Sequence, residues 1–123
     1  MILLDANYIL RFLLKDNVEM YEISKDCIVN NNCTVPSEVL AEVVFVLLKV
    51  YRVTKKDIKE SLINILEYDN IIMNDKNIII HSLEIFENKS LDFVDCILCA
   101  KSNKYIVKTF DKKLNKCISN NKL

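Results

Sequence analysis

Glycine is absent from all 123 residues. Neither the G-x-G-x-x-G dinucleotide turn nor the P-loop can therefore be built, since each needs a residue without a Cβ where the backbone meets phosphate. Nucleotide-cofactor enzymes of those types are excluded. Turns must rest on Asn, Asp and Ser, and clusters of these at Asn30-Asn31-Asn32, Asp69-Asn70, Asn74-Asp75, Asn88-Lys89-Ser90 and Ser102-Asn103 punctuate the chain.

Other shortages bound the class further. The five cysteines are an odd number without the spacing of a disulfide framework, and the N-terminus lacks the basic flank and long apolar core of a signal peptide. A cytoplasmic, reduced protein is expected. The longest uninterrupted apolar run, Val43 to Leu48, is far short of the roughly 20 residues that span a bilayer, so no membrane anchor is expected. Histidine occurs once, at His81, inside a helical stretch, which leaves carboxylates as the only available bases at any site built elsewhere.

Net charge is also absent, but only in sum. Residues 99 to 123 carry seven lysines against Asp111 alone, while residues 1 to 98 hold ten basic against sixteen acidic side chains. A basic C-terminal segment suits a polyanion, and it equally suits a solubilising tail.

What is present reads as one domain over residues 1–123, long enough to bury a core without staples. Apolar Ile2 to Leu4 reads as a buried strand, followed by helices at Tyr8 to Leu14 and about Glu19 to Asn30. A strand at Cys33 to Val35 ends at Pro36, with Ser37 as N-cap of a helix to about Tyr51. That helix is apolar over most of its circumference and must be buried nearly all round or meet a partner subunit. Thr54 and Asp57 form a capping box opening a helix to about Glu67. A strand at Ile71 to Met73, helices at Asn77 to Asn88 and Leu91 to Asn103, and a strand at Tyr105 to Thr109 complete an alternation that predicts an α/β fold with a parallel sheet.

Open parallel sheets place ligands beyond the carboxyl ends of their strands. Asp5 follows the first predicted strand and Asp111 the last, although either alone could be an ordinary turn or cap aspartate. Glu42 interrupts the most apolar helix and needs either Lys49, seven residues on, or a cation inside the fold. Asp92 and Asp95 lie three apart at the start of a helix, where one of them can be explained by capping and the dipole keeps carboxylates ionised. Converging carboxylates without histidine or thiolate select Mg²⁺ or Mn²⁺, which polarises a phosphate oxygen and activates water. Arg11 could meet phosphate or a carboxylate. The Cys96-x-x-Cys99 pair has no partner pair at zinc spacing and reads as small core residues.

The strings MILLDANYILRFLL, VPSEVLAEVVFVL, LDFVDCILCA and VKTFDKKL, in that order over nearly the whole chain, resemble a PIN-domain ribonuclease of the VapC type, the toxin half of a bacterial toxin–antitoxin pair. The resemblance implies a three-layer α/β/α sandwich with a central parallel sheet, Mg²⁺- or Mn²⁺-dependent endoribonuclease activity, a homodimer, and inhibition by a cognate antitoxin protein. It places the family's catalytic and metal-binding acids on Asp5, Glu42, Asp95 and Asp111, with Asp92 as an accessory ligand or a cap, and makes Asn7 and Thr109 their supporting groups. On this reading Arg11, Lys108, Lys112, Lys113 and Lys116 line the path of an RNA backbone. The alternative is a non-catalytic PIN-like module that binds RNA or protein, which loss of the acids would favour; none is lost. A phospho-acceptor receiver domain fits less well, because Asn74 follows the predicted strand Ile71 to Met73 and the last strand delivers Asp111 rather than a lysine.

Overall fold

The computed structural model describes residues 1–121, so Lys122 of the basic segment lies outside the described residues. The chain forms two compact units, Met1–Asn74 and Asp75–Leu123.

In the first unit the elements run β1 (Ile2–Leu3), α1 (Ala6–Leu14), α2 (Val18–Asn30), β2 (Cys33–Thr34), α3 (Ser37–Lys49) and α4 (Lys55–Leu66). β1 and β2 are parallel, in the register Ile2 to Cys33 and Leu3 to Thr34. Ile71 adds a parallel bridge on the other side of Cys33, through Cys33 N–H to Asn70 O and Ile72 N–H to Cys33 O, both 2.8 Å. The strand expected at Ile71 to Met73 is thus reduced to a single bridge. Leu4, Ile9, Leu10, Ile28, Leu40, Val43, Ile58, Leu62 and Ile71 are buried.

The local chemistry explains where the helices begin. Asn17 Oδ1 accepts from Met20 N–H at 2.9 Å, and Thr54 Oγ1 from Asp57 N–H at 3.2 Å, as its capping-box position predicts. α3 differs from expectation, because its N-cap is Pro36 rather than Ser37. Proline already holds φ at −62°, and its carbonyl accepts from Leu40 N–H at 3.1 Å, so the helix starts one residue earlier. Without glycine, the left-handed backbone positions fall on Lys15 (φ 54°) and Arg52 (φ 55°) rather than on asparagine. α3 is also less enclosed than its composition suggests: Leu40, Val43, Val44 and Leu47 are buried, whereas Phe45 is 61 % exposed.

The second unit contains α5 (Lys76–Asn88), α6 (Phe93–Lys101) and α7 (Lys112–Asn121). α6 packs against α5 and α7, and Phe86 meets Phe93 edge to face with ring centroids 5.7 Å apart. α7 is a helix that the sequence reading did not anticipate, although Leu114, Cys117 and Ile118 stand at helical spacing and are buried. Conversely, the strand expected at Tyr105 to Thr109 does not form among the described residues. The segment has the right residue types, but Tyr105, Ile106 and Phe110 are 63, 87 and 105 % exposed, so no buried face rewards an extended pairing. The α/β class holds with a small parallel sheet of two strands, β1 and β2. No described helix is long and apolar enough to cross a membrane.

Candidate functional site

Asp5 stands at the end of β1, where its carboxylate caps α1 by accepting from Tyr8 N–H at 3.0 Å. One bond to one oxygen leaves the second oxygen outside the cap. Asp5, Asn7, Tyr8 and Arg11 line one side of a groove of about 520 Å³, with Met20 and Ile23 of α2 opposite. Arg11 is not a loose surface cation: Nη1 lies 2.8 and 3.0 Å from the two Asp16 oxygens, and Nη2 donates to Tyr51 at 3.4 Å. The Tyr51 hydrogen bond, with help from Asp16, holds the guanidinium charged against the opposing effect of burial. Asp16 and Tyr51 are the positions that sequence reasoning missed here, since Asp16 lies beyond the end of α1 and Tyr51 is 40 residues from Arg11.

Glu42, also in the first unit, is exposed on α3. The expectation that it must be neutralised inside the fold is therefore corrected. Its apolar sequence neighbours Val43 and Val44 turn inward around the helix while Glu42 keeps its hydration, and Lys49 is likewise exposed.

In the second unit, Asp95 is partly buried on the first turn of α6, and Asp92 occupies the N-cap position without making a side-chain cap bond. The cap therefore does not use the Asp92 carboxylate. Asp111 precedes α7 and caps it, Oδ1 accepting from Leu114 N–H at 2.8 Å. Thr109 Oγ1 accepts from Asp111 N–H at 3.1 Å, and Asn115 Nδ2 donates to Thr109 O at 2.9 Å, so the turn delivering Asp111 is held at both ends. Burial raises the Asp95 carboxyl above its ordinary range, and the negative charges of Asp111 and Asp92 raise it further.

Among the described residues, no three His, Cys, Asp or Glu side chains form a group that could hold a metal ion. Asp92, Asp95 and Asp111 are oxygen donors of the kind a hard cation takes, although they do not stand together as such a group. A partly desolvated carboxylate with two like charges beside it gains from a divalent ion, and all its neighbours offer oxygen ligands. The remaining sequence-predicted residues sit on the same unit. Lys108 and Lys112 are exposed, and Lys113 and Lys116 join Lys89 along a pocket of about 230 Å³.

The cysteines depart from expectation. Cys99 pairs with Cys117 in a disulfide, not with Cys96, and their Cα atoms are 6.1 Å apart. The reading of Cys99 as a small reduced core residue fails because α7, unforeseen from sequence, carries Cys117 to α6. Cys33, by contrast, is a buried thiol that burial pushes up, which makes it unreactive.

Compared with known proteins, residues 2–117 match the sequence pattern of a family described as PIN domain. No curated protein and no solved structure matches the chain.

Proposed function

The chain belongs to the PIN domain family, a family generally of nucleases, and we propose that it is a metal-dependent endoribonuclease acting on RNA phosphodiester bonds. The observation that carries the reading is the family match over residues 2–117, and it is supported by Asp95, a partly buried carboxylate raised by burial and then by the negative charges of Asp111 and Asp92. On this proposal Asp5, Glu42, Asp95 and Asp111 form the catalytic and metal-binding set, with Asp92 as an accessory ligand, in a single PIN-like domain completed as a three-layer sandwich.

A bound Mg²⁺ or Mn²⁺ supplies Lewis-acid polarisation of the scissile phosphate and a more acidic water. The chain's own groups do the rest. Asp5 and Asp111 each have one carboxylate oxygen held by a helix N-terminus, which limits the orientations each side chain can take. Thr109 positions Asp111 through the backbone, and Asn7 stands beside Asp5 in the groove. Lys108, Lys112, Lys113 and Lys116 attract the RNA backbone, with Arg11 at the groove, and these contacts carry affinity rather than base selection.

The wider biological role follows the sequence motifs: a toxin of the VapC type, cytoplasmic, held in check by an antitoxin protein and acting as a homodimer. Exposed Phe45 on the most apolar helix supports a second subunit as its cover. The test is cleavage of RNA by purified protein with Mn²⁺. Asp5→Asn, which retains a good N-cap, should abolish cleavage without unfolding the chain. If wild-type protein leaves every tested RNA intact and EDTA changes nothing, the non-catalytic binding module replaces this reading. In cells, growth arrest by the wild type and its absence with Asp5→Asn separate the same two possibilities.

A further inference from the structure

Both cysteines of the Cys99–Cys117 disulfide are buried, at 0 and 5 % exposure, so any approach to the bond is confined to the pocket beside Cys117. Cys99 is fully buried on α6, but Cys117 lines the pocket that Lys89, Lys113, Lys116, Ser90 and Asn120 also line. Lys113, Lys116, Cys117 and Asn120 recur at helical spacing on α7, so two lysines, an asparagine and one cysteine of the disulfide share the face of this helix that lines the pocket. No carboxylate lines the pocket. Its volume of about 230 Å³ lies below the usual size of drug-sized ligand sites, so only a very small molecule fits it.

We propose that this pocket binds an anionic low-molecular-weight thiol, and that Cys117 is the sulfur through which the thiol exchanges with the Cys99–Cys117 disulfide. The thiolate attacks Cys117 Sγ, the bond to Cys99 breaks, and its electron pair leaves on Cys99 Sγ, which takes a proton from solvent. Cys117 then holds the reductant as a mixed disulfide. A second thiolate attacks the reductant's sulfur, expelling the Cys117 thiolate, which is protonated in turn, and the reductant departs as its own disulfide. Two electrons and two protons have entered the chain. Lys113 and Lys116 raise the local concentration of the anionic thiol and stabilise thiolate at Cys117.

The exchange has a consequence for the carboxylates. α7 begins one residue after Asp111, and the disulfide ties it to α6, which carries Asp95. Reduction therefore loosens the helix whose N-cap is Asp111. This consequence rests on the nuclease reading, whereas the exchange itself does not.

The experiment uses the full chain, oxidised, with thiols counted by maleimide labelling in denaturant. Reduction rates are compared for mercaptoethanesulfonate, mercaptoethanol and cysteamine, each normalised to its rate on a small exposed disulfide. The anionic thiol should lead the neutral one by about 10-fold at low salt. That lead should vanish at about 0.5 M salt and in Lys113→Gln/Lys116→Gln. The trapped mixed disulfide should map to Cys117 by peptide mass. Equal normalised rates, an adduct on Cys99, or labelling of both Cys99 and Cys117 in the oxidised protein would each overturn the proposal. So would protection of the disulfide by a short oligoribonucleotide without any preference for thiol charge, which would assign the pocket to nucleic acid. Because the readout is thiol exchange, failure of RNA cleavage leaves the result interpretable.

Discussion

The hydroxyl of Thr109 accepts a hydrogen bond from the backbone N–H of Asp111 at 3.1 Å, while the Asp111 carboxylate accepts from Leu114 N–H at 2.8 Å. One residue thus ends a turn and starts a helix with its side chain fixed, which converts a surface aspartate into a positioned one.

Two variants separate these duties. Asp111→Ala should lose about 1 kcal/mol of stability through the missing cap, whereas Asp111→Ser should recover most of it. Neither should retain Mn²⁺-dependent cleavage. Thr109→Val should keep the fold and weaken Mn²⁺ affinity or cleavage by about 10–100-fold, as expected for a group that orients a ligand. Urea melts and titration with Mn²⁺ measure both effects.

Asp95 predicts a pH dependence of stability in metal-free protein. Its carboxyl is raised in the folded state, so the folded chain binds the proton more tightly than the unfolded chain. The resulting stabilisation is fully present below the unfolded value near 3.8 and is lost as pH rises through the raised folded value. Asp95→Asn should therefore melt higher than wild type at pH 7 in EDTA, with the difference shrinking towards pH 3. Added Mn²⁺ should stabilise the wild type and leave Asp95→Asn less affected. A wild-type chain that melts higher than Asp95→Asn at pH 7 in EDTA would contradict the like-charge arrangement.

The disulfide closes a loop with a sequence separation of 18, for which the chain-entropy account gives about 3 kcal/mol. Cys99→Ala/Cys117→Ala should lower stability by roughly that amount. Wild-type protein under strong reductant should move in the same direction. Equilibrium denaturation with and without reductant provides the measurement, and the double variant should be insensitive to it.

Arg52 is exposed at φ 55°, a conformation that costs a side-chain-bearing residue about 1–2 kcal/mol and glycine almost nothing. Arg52→Gly should be neutral to stabilising by up to about 1 kcal/mol, the extra freedom of unfolded glycine offsetting part of the gain. A loss above that size in thermal denaturation would show that Arg52 makes a contact of more value than its backbone strain.

Phe110 and Leu114 make opposite predictions although both are large and apolar. Phe110 is fully exposed, so Phe110→Ser should change stability by less than about 0.5 kcal/mol. Leu114 is buried at 2 % exposure, and Leu114→Ala should cost about 2–5 kcal/mol. A large loss at Phe110 would mean that the segment before α7 pairs or packs after all.

Features encoded within a few residues could be seen in the sequence. Thr54 and Asp57 announce α4 because a cap hydrogen bond spans three residues, and the apolar spacing of α1, α2, α5 and α6 fixes their buried faces by helical geometry alone. The PIN domain, too, was present in the order of the acidic motifs, and the match over residues 2–117 bears out that part of the resemblance. α7 was equally local in principle: Asp111 as a cap, then Leu114, Cys117 and Ile118 at helical spacing. Reading Asp111 only as a strand end concealed it.

Pairings between distant residues were decided by tertiary structure. Nothing local says that Cys99 meets Cys117 rather than Cys96, that Tyr51 reaches Arg11, or that Asp95 senses Asp111. Each depends on where a second element comes to rest. The segment from Tyr105 to Thr109 shows the same division from the other side, since β propensity is a property of residues but a strand is a property of pairs. The sequence by itself determined the helices, their caps and the kinds of chemical group available. Tertiary structure determined which groups meet, because desolvation, charge repulsion and disulfide closure exist only between neighbours in space.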